Sequence, residues 1–279
     1  MKKINVDDII KNVARLCISS NIFIADDIKK ALERALERED DKAGSVLRSM
    51  LENAEIAETK KIPLCQDTGM VVAFVEIGQE VQIIGGSLEA AINEGIRIGY
   101  EDGYLRKSVV KDPFRRENTK DNTPAVIHYK IVEGDAFKVT ISPKGFGSEN
   151  MSALKMLMPS DGLEGVKNFV LKTIVEADSN PCPPIIVGIG VGGTMEKASL
   201  MSKEALLRDV GTKNEDEFLD EVEQQFLEEI NKTGIGPSGF GGKTTALAVH
   251  IKTYATHIAG LPVAVNIGCH VTRHLEFSL

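Results

Sequence analysis

The sequence predicts an α+β fold, with N-terminal helices followed by mixed, largely antiparallel sheets flanked by helices. Three observations carry that expectation. Residues 5–59 repeat apolar side chains at three- and four-residue steps, the period of a helix with one buried face. Beyond residue 60, short β-branched runs intermix with helical stretches. Two of those runs, Ala125–Val132 and Phe137–Ile141, alternate like the strands of a hairpin around Glu133-Gly134-Asp135. That order favours a mixed arrangement over a regular βαβ series.

The first helix carries Ile9, Ile10, Val13, Leu16 and Cys17 on one stripe. Cys17 therefore reads as a small buried hydrophobe. The second helix carries Ile28, Leu32 and Leu36, and the third Val46, Leu51 and Ile56. Glu39 to Asp41 suits the start of the third, because acidic residues favour the positive end of a helix. Met70–Val75 and Val81–Ile84 predict two strands flanking a turn at Gly78, and Gly86 opens a helix over Leu88–Tyr104. Residues 107–124 are polar, with Pro113, Pro124 and the charged run Lys111 to Asp121, so a long loop is expected there. Lys144–Asn150 reads as a glycine loop, with helices following to about Asp178. Ile185–Val187 reads as a buried strand running into the glycines at 188–193, then a helix from Met195. Residues 213–231 read as an acidic helix. The glycine-dense stretch Gly234–Gly242 precedes a strand at Ala246–Ile251. Pro262–Ile267 reads as the last strand, with Cys269 at its end. No repeat or linker appears, so 1–279 is expected to be a single catalytic domain whose helical part covers about 1–60.

The chain has 279 residues, 42% hydrophobic and 27% charged, the balance of an ordinary globular protein. Its net charge of −8 argues against a nucleic-acid binder, which needs a basic face. It leaves room for an anionic substrate in a locally basic site. No run of 18 apolar residues exists, so no membrane span is expected. The start, Met-Lys-Lys-Ile-Asn-Val-Asp-Asp, lacks the apolar stretch of a signal peptide, and a cytoplasmic location is expected. In a reducing compartment the four cysteines favour metal or catalytic roles over disulfides.

Three cysteines sit in turn-rich, apolar-flanked settings: Cys65 in Ile-Pro-Leu-Cys-Gln-Asp-Thr-Gly, Cys182 in Asn-Pro-Cys-Pro-Pro and Cys269 in Asn-Ile-Gly-Cys-His. Only folding can bring them together. If it does, three thiolates could hold a cubane iron–sulfur cluster with one iron open, a Lewis acid for a hydroxyl or carboxylate. Cys-x-x-Cys zinc pairs are absent. A nucleophilic Cys269 beside His270 and plain burial both stay open at this level. Asp67 lies two residues from Cys65, where a carboxylate could move a proton or simply form a turn. Arg106 could clamp a carboxylate, or, like Arg115 and Arg116, sit in solvent. His257, His270 and His274 lie near the third cysteine in sequence.

Two glycine stretches resemble nucleotide motifs. Gly188, Gly190 and Gly193 fit Gly-x-Gly-x-x-Gly, but no second strand ending in an acidic residue follows. In the 236–244 stretch the first glycine required by a Walker A motif falls on Pro237. Such loops can also present backbone N–H groups to a carboxylate.

Taken together, Pro-Leu-Cys-Gln-Asp-Thr-Gly (63–69), Asp-Asn-Thr-Pro-Ala-Val-Ile-His (121–128), Lys-Gly-Phe-Gly-Ser-Glu-Asn (144–150), Gly-Ile-Gly-Val-Gly-Gly (188–193), Gly-Ile-Gly-Pro-Ser-Gly-Phe-Gly-Gly (234–242) and Val-Asn-Ile-Gly-Cys-His (265–270) resemble the iron–sulfur-dependent class I fumarate hydratases and the related L-tartrate dehydratases. The resemblance runs from about residue 5 to 274. It implies a [4Fe–4S] cluster on Cys65, Cys182 and Cys269. It also implies a small dicarboxylate substrate contacted by Gln66 and Asp67, with Asp67 transferring a proton. Arg106 and the backbone at Gly147 match positions that hold substrate carboxylates, and His257 matches a histidine beside the active site. Single-chain members continue past the third cysteine into a second domain, whereas this sequence stops at Leu279. The resemblance therefore implies an α subunit that pairs with itself and with a separate β subunit as α2β2. The implied reaction is reversible hydration of fumarate to L-malate, with L-tartrate dehydration as the alternative. A nucleotide-binding protein using the 188–193 or 236–244 loop, and a zinc or redox module, are the rivals from other classes.

Overall fold

The structure, a computed structural model, describes residues 1–279 apart from the side chain of Asp41. In chain order the first elements are β1 (Lys2–Asn5), α1 (Val6–Ile22), α2 (Asp26–Leu36), α3 (Asp41–Lys60), β2 (Met70–Gly78), β3 (Val81–Ile84) and α4 (Leu88–Asp102). Next come β4 (Val126–Val132), β5 (Phe137–Lys144), the single turn α5 (Phe146–Glu149), β6 (Ala153–Leu157), α6 (Gly162–Ala177) and β7 (Ile185–Gly192). The chain closes with α7 (Met195–Ala205), α8 (Glu217–Lys232), β8 (Ala246–Tyr254), β9 (Leu261–Gly268) and β10 (Leu275–Ser278). The α+β class is as expected. The chain folds as two compact units: Met1–Ile24 with Ala54–Phe146 and Arg273–Leu279, and Ala25–Asn53 with Gly147–Thr272. Among the described residues no helix is long and apolar enough to cross a membrane.

In the first unit, Asn5 caps α1 by accepting a hydrogen bond from the Asp7 amide at 3.1 Å. Asp7 and Asp8 in the first turn complement the helix dipole. The predicted stripe of Ile9, Val13, Leu16 and Cys17 is buried against Ile92, Ile96 and Tyr100 of α4 and Val71, Ala73, Val139 and Ile141 of the sheet. Burial pushes the Cys17 thiol well above its ordinary pKa, so it stays protonated and inert.

The sheet of this unit runs β10-β5-β2-β4. The hairpin expected from Ala125–Val132 and Phe137–Ile141 does not form. Both segments are strands, but β2 lies between them, parallel to β4 (Val72↔Val126) and antiparallel to β5 (Ala73↔Ile141). The reason is burial. Val71, Val72, Ala73 and Val75 of β2 are all buried, so β2 takes an inner place. β4 leaves Val126, Tyr129 and Ile131 exposed and takes the edge. Likewise β3 pairs with β1 in parallel rather than with β2. A last strand, β10, follows the one expected to close the chain and pairs with β5.

In the second unit the sheet runs β6-β9-β7-β8. Ile185, Val187 and Ile189 of β7 face a core with Val170 and Ile174 of α6 and Phe226 of α8. The alternate residues Gly188 and Gly190 face α7. A Cβ on Gly188 would sit 2.1 Å from the Ser202 carbonyl oxygen, and one on Gly190 2.1 Å from that of Ala198. The glycines therefore let a helix backbone lie directly on a strand. The expected loop at 188–193 is mostly strand, which removes the phosphate-loop reading of that motif. β6 was expected to be helical, and Ala-Leu-Lys-Met-Leu is indeed a run of helix formers. Pairing with β9 overrides that propensity.

Candidate functional site

Cys65, Gln66 and Asp67 lie in the first unit, on the loop between α3 and β2. The Leu64 amide donates to the Asn21 carbonyl at 2.8 Å, anchoring the start of that loop. The Asp67 amide donates to Cys65 Sγ at 3.4 Å. Asp67 sits in a cradle. Its Oδ1 accepts from the Gly69 amide at 3.0 Å and its Oδ2 from the Phe146 amide at 2.8 Å. Gly69 has φ +78° and lies so close to Lys144 that a Cβ would meet the Lys144 backbone nitrogen at 2.8 Å. The carboxylate is thus fixed between the start of β2 and the end of β5.

Behind this loop stands a buried polar frame. The Tyr100 hydroxyl donates to the Thr68 carbonyl at 2.6 Å and to the Gly69 carbonyl at 3.1 Å. Burial raises the pKa of that phenol, so it remains a donor. Asn122 donates to Gly69 O at 3.1 Å and accepts from the Ser108 amide at 2.7 Å. Thr68 Oγ1 donates to the Arg106 carbonyl at 2.8 Å, which ties the Arg106 segment to the Cys65 loop. The Arg106 side chain is exposed. Arg273, 6% exposed, donates through its guanidinium to the carbonyls of Asp67 and Pro143. None of Tyr100, Asn122 and Arg273 was singled out from the sequence. Tyr100 could have been, as the polar end of the α4 stripe Ile92-Ile96-Tyr100.

Cys182 and Cys269 belong to the second unit, at one end of its sheet. Cys182 precedes β7, Cys269 follows β9, and these strands pair antiparallel with Ile186 opposite Gly268. Nδ1 of His270 lies 3.0 Å from the Cys182 carbonyl oxygen, joining the two segments. Burial pushes the His270 imidazole below its ordinary pKa, opposed by that contact. Cys182 is exposed and has φ +56°, a backbone conformation rarely taken by non-glycine residues. The glycine stretch 234–242 supports it. The Ser238 amide donates to the Pro183 carbonyl at 2.8 Å, and a Cβ on Gly239 would meet that of Ser179 at 2.4 Å. At the far side of that stretch the Lys243 amide donates to the Glu39 carboxylate at 2.8 Å. The 236–244 loop is thus a brace for the Cys182 turn.

Gly147 is exposed in α5, with Asn180 O the atom nearest to where its Cβ would lie, at 3.7 Å. His257 is elsewhere. It lies in the exposed connection between β8 and β9, and Gly192, at the far end of β7, pairs with Tyr254 just before it. About seven strand residues, roughly 20 Å, separate that end from Cys182 and Cys269. Within one copy of this unit His257 and those cysteines are not brought together.

None of the four cysteines is in a disulfide. Among the described residues no three Cys, His, Asp or Glu side chains are gathered as a ready-made metal site. The donor chemistry of Cys65, Cys182 and Cys269 nevertheless fits a soft, thiolate-bound group. All three are at least partly exposed on turns, while Cys17 alone is buried in an apolar core.

The model of the fumarate hydratase (Fumerase) family matches residues 10–278. A protein of Methanocaldococcus jannaschii, provisionally named L(+)-tartrate dehydratase subunit alpha, is 43% identical over 270 residues, covering 94% of each chain. The L(+)-tartrate dehydratase subunit alpha of Escherichia coli K12 is 30% identical over 273 residues, covering 96% of this chain and 89% of its own. The Shigella sonnei protein of the same name matches to the same extent. The chain therefore belongs to the fumarate hydratase (Fumerase) family of hydro-lyases.

Proposed function

We propose that this chain is the α subunit of a hydro-lyase that dehydrates L(+)-tartrate, working with a separate β subunit. The single observation that carries a proton-transfer role is the Asp67 carboxylate, held by two amides and two residues from Cys65. The substrate assignment rests on the relatives' names. Cys65, Cys182 and Cys269 would together hold a [4Fe–4S] cluster. When bound, such a cluster supplies a Lewis-acidic iron for a hydroxyl and a neighbouring carboxylate oxygen.

The chain's own residues would do the rest. Asp67 takes the proton from the carbon next to the departing hydroxyl, and its two amide donors keep the carboxylate aimed. Loss of that proton leaves an enolate-like charge on the adjacent carboxylate. Arg106 and the Gly147 amide would stabilise that charge, with Gln66 orienting the substrate. His257 can join such a site only from a second copy of the chain, in keeping with the expected α2β2 assembly. The β subunit would supply the remaining contacts to the substrate.

Reversible hydration of fumarate to L-malate is the second reading, favoured by the name of the family whose model matches. L-Malate and L(+)-tartrate differ in one hydroxyl. Turnover of the assembled αβ complex with each acid separates them. The proposal expects a higher kcat/KM for L(+)-tartrate. A preference for fumarate would move the assignment to the second reading, and failure with both acids would overturn both.

A further inference from the structure

We infer that Arg273 is a positioning residue for Asp67. This rests on the role proposed above for Asp67. Arg273 is almost fully buried, yet it forms no ion pair among the described residues. Burying a guanidinium is costly unless its donors are used. Here they meet two carbonyl oxygens, those of Asp67 and Pro143, and nothing acidic. These carbonyls lie on the two chain segments that form the carboxylate cradle. Asp67 follows the Cys65 turn, and Pro143 lies three residues before Phe146, whose amide holds Asp67 Oδ2. The arginine itself is held, because the Ser142 hydroxyl donates to its carbonyl at 3.3 Å. One fork thus sets the distance between the loop that carries the carboxylate and the loop that aims it. A bare ammonium could not span both carbonyls with the same geometry. Arg273 would touch no substrate and would act only through Asp67.

The test compares Arg273→Met, Arg273→Lys, Asp67→Asn and the Arg273→Met/Asp67→Asn double variant in the αβ complex reconstituted without oxygen. The inference predicts that Arg273→Met lowers kcat by about 30-fold while KM stays within about threefold. The double variant should be no slower than Asp67→Asn alone, because the two residues act as one unit. Arg273→Lys should fall between wild type and Arg273→Met. A second readout needs no cofactor. In the full α chain, amide exchange at Gly69 and Phe146 should quicken about tenfold in Arg273→Met, with protection of the buried β7 amides unchanged.

Unchanged kcat in Arg273→Met, losses that multiply in the double variant, or unchanged exchange at those two amides would each overturn the inference. If Arg273→Met does not fold, Arg273→Lys decides: partial loss of kcat with faster exchange at Gly69 and Phe146 supports it, and wild-type behaviour overturns it. An inactive wild-type complex would count against the proposed function, and the exchange result would then decide the role of Arg273.

Discussion

The two units build their cysteine-bearing ends from the same strand pattern. Each four-stranded sheet has two antiparallel pairings followed by one parallel pairing, β10-β5-β2-β4 in one and β6-β9-β7-β8 in the other. In each, a cysteine precedes the inner strand that has the parallel partner: Cys65 before β2 and Cys182 before β7. In each, the antiparallel neighbour ends beside that cysteine's turn, β5 running into Gly145 and Phe146, β9 into Cys269 and His270. The difference is in what holds the turns. The first unit uses buried side chains, Thr68, Tyr100, Asn122 and Arg273. The second uses backbone shape, with Gly188 and Gly190 under α7 and the 234–242 stretch against Ser179 and Pro183. The first unit thus fixes a carboxylate beside its cysteine with buried side chains, and the second shapes its two cysteine turns with backbone.

The largest expected effect falls on the first unit. Asp67→Asn should lower kcat of the αβ complex by about 10²- to 10⁴-fold with its iron content unchanged. Equal turnover would remove the carboxylate from the chemistry and blur the distinction between the units. In the second unit, Gly190→Val should destabilise the chain by about 3 kcal/mol, because its side chain meets the Ala198 carbonyl. Denaturant unfolding measures this, and a neutral result would mean α7 does not lie on β7 as described. Asn122→Ala should cost about 2 kcal/mol by orphaning the Ser108 amide and removing one of the two donors to the Gly69 carbonyl, in the same assay. A loss below about 0.5 kcal/mol would show that the frame is not side-chain built.

The smallest effect concerns pH. Burial holds the His270 pKa below its ordinary value of 6.5. The unfolded chain therefore takes up a proton first as the medium acidifies. Stability is then full above about pH 6.5, falls below it, and levels off once the folded protein also protonates. His270→Gln should flatten this part of a melting-temperature profile, and an identical slope in the variant would assign the acid sensitivity elsewhere.

Much of this was legible in the residues. The helical stripe of α1 and the three cysteine turns could be read because periodicity and turn chemistry are local signals. The pairing order was not, because alternation marks a strand without naming its neighbour, and the real partner of both β4 and β5 lay more than 40 residues earlier in β2. β6 was hidden by its helix-forming composition. At 188–193 the glycines were legible as a pattern, but their cause, a helix backbone above a strand, exists only once the sheet has formed. Asn122 and Arg273 are single polar residues with no spacing to mark them, so only their burial identifies them. Asp67 and Cys65 were legible together. The cradle that aims Asp67 was not, since half of it comes from Phe146.

Cys65, Cys182 and Cys269 are proposed to hold one iron–sulfur group. Iron and acid-labile sulfide should be measured in the αβ complex purified without oxygen, alongside Cys65→Ser, Cys182→Ser, Cys269→Ser and Cys17→Ser. The account predicts about four of each per α chain in the wild type and in Cys17→Ser, and loss of both in the other three. Full iron and sulfide in any one of those three, or a wild type that remains iron-free after anaerobic reconstitution, would contradict it.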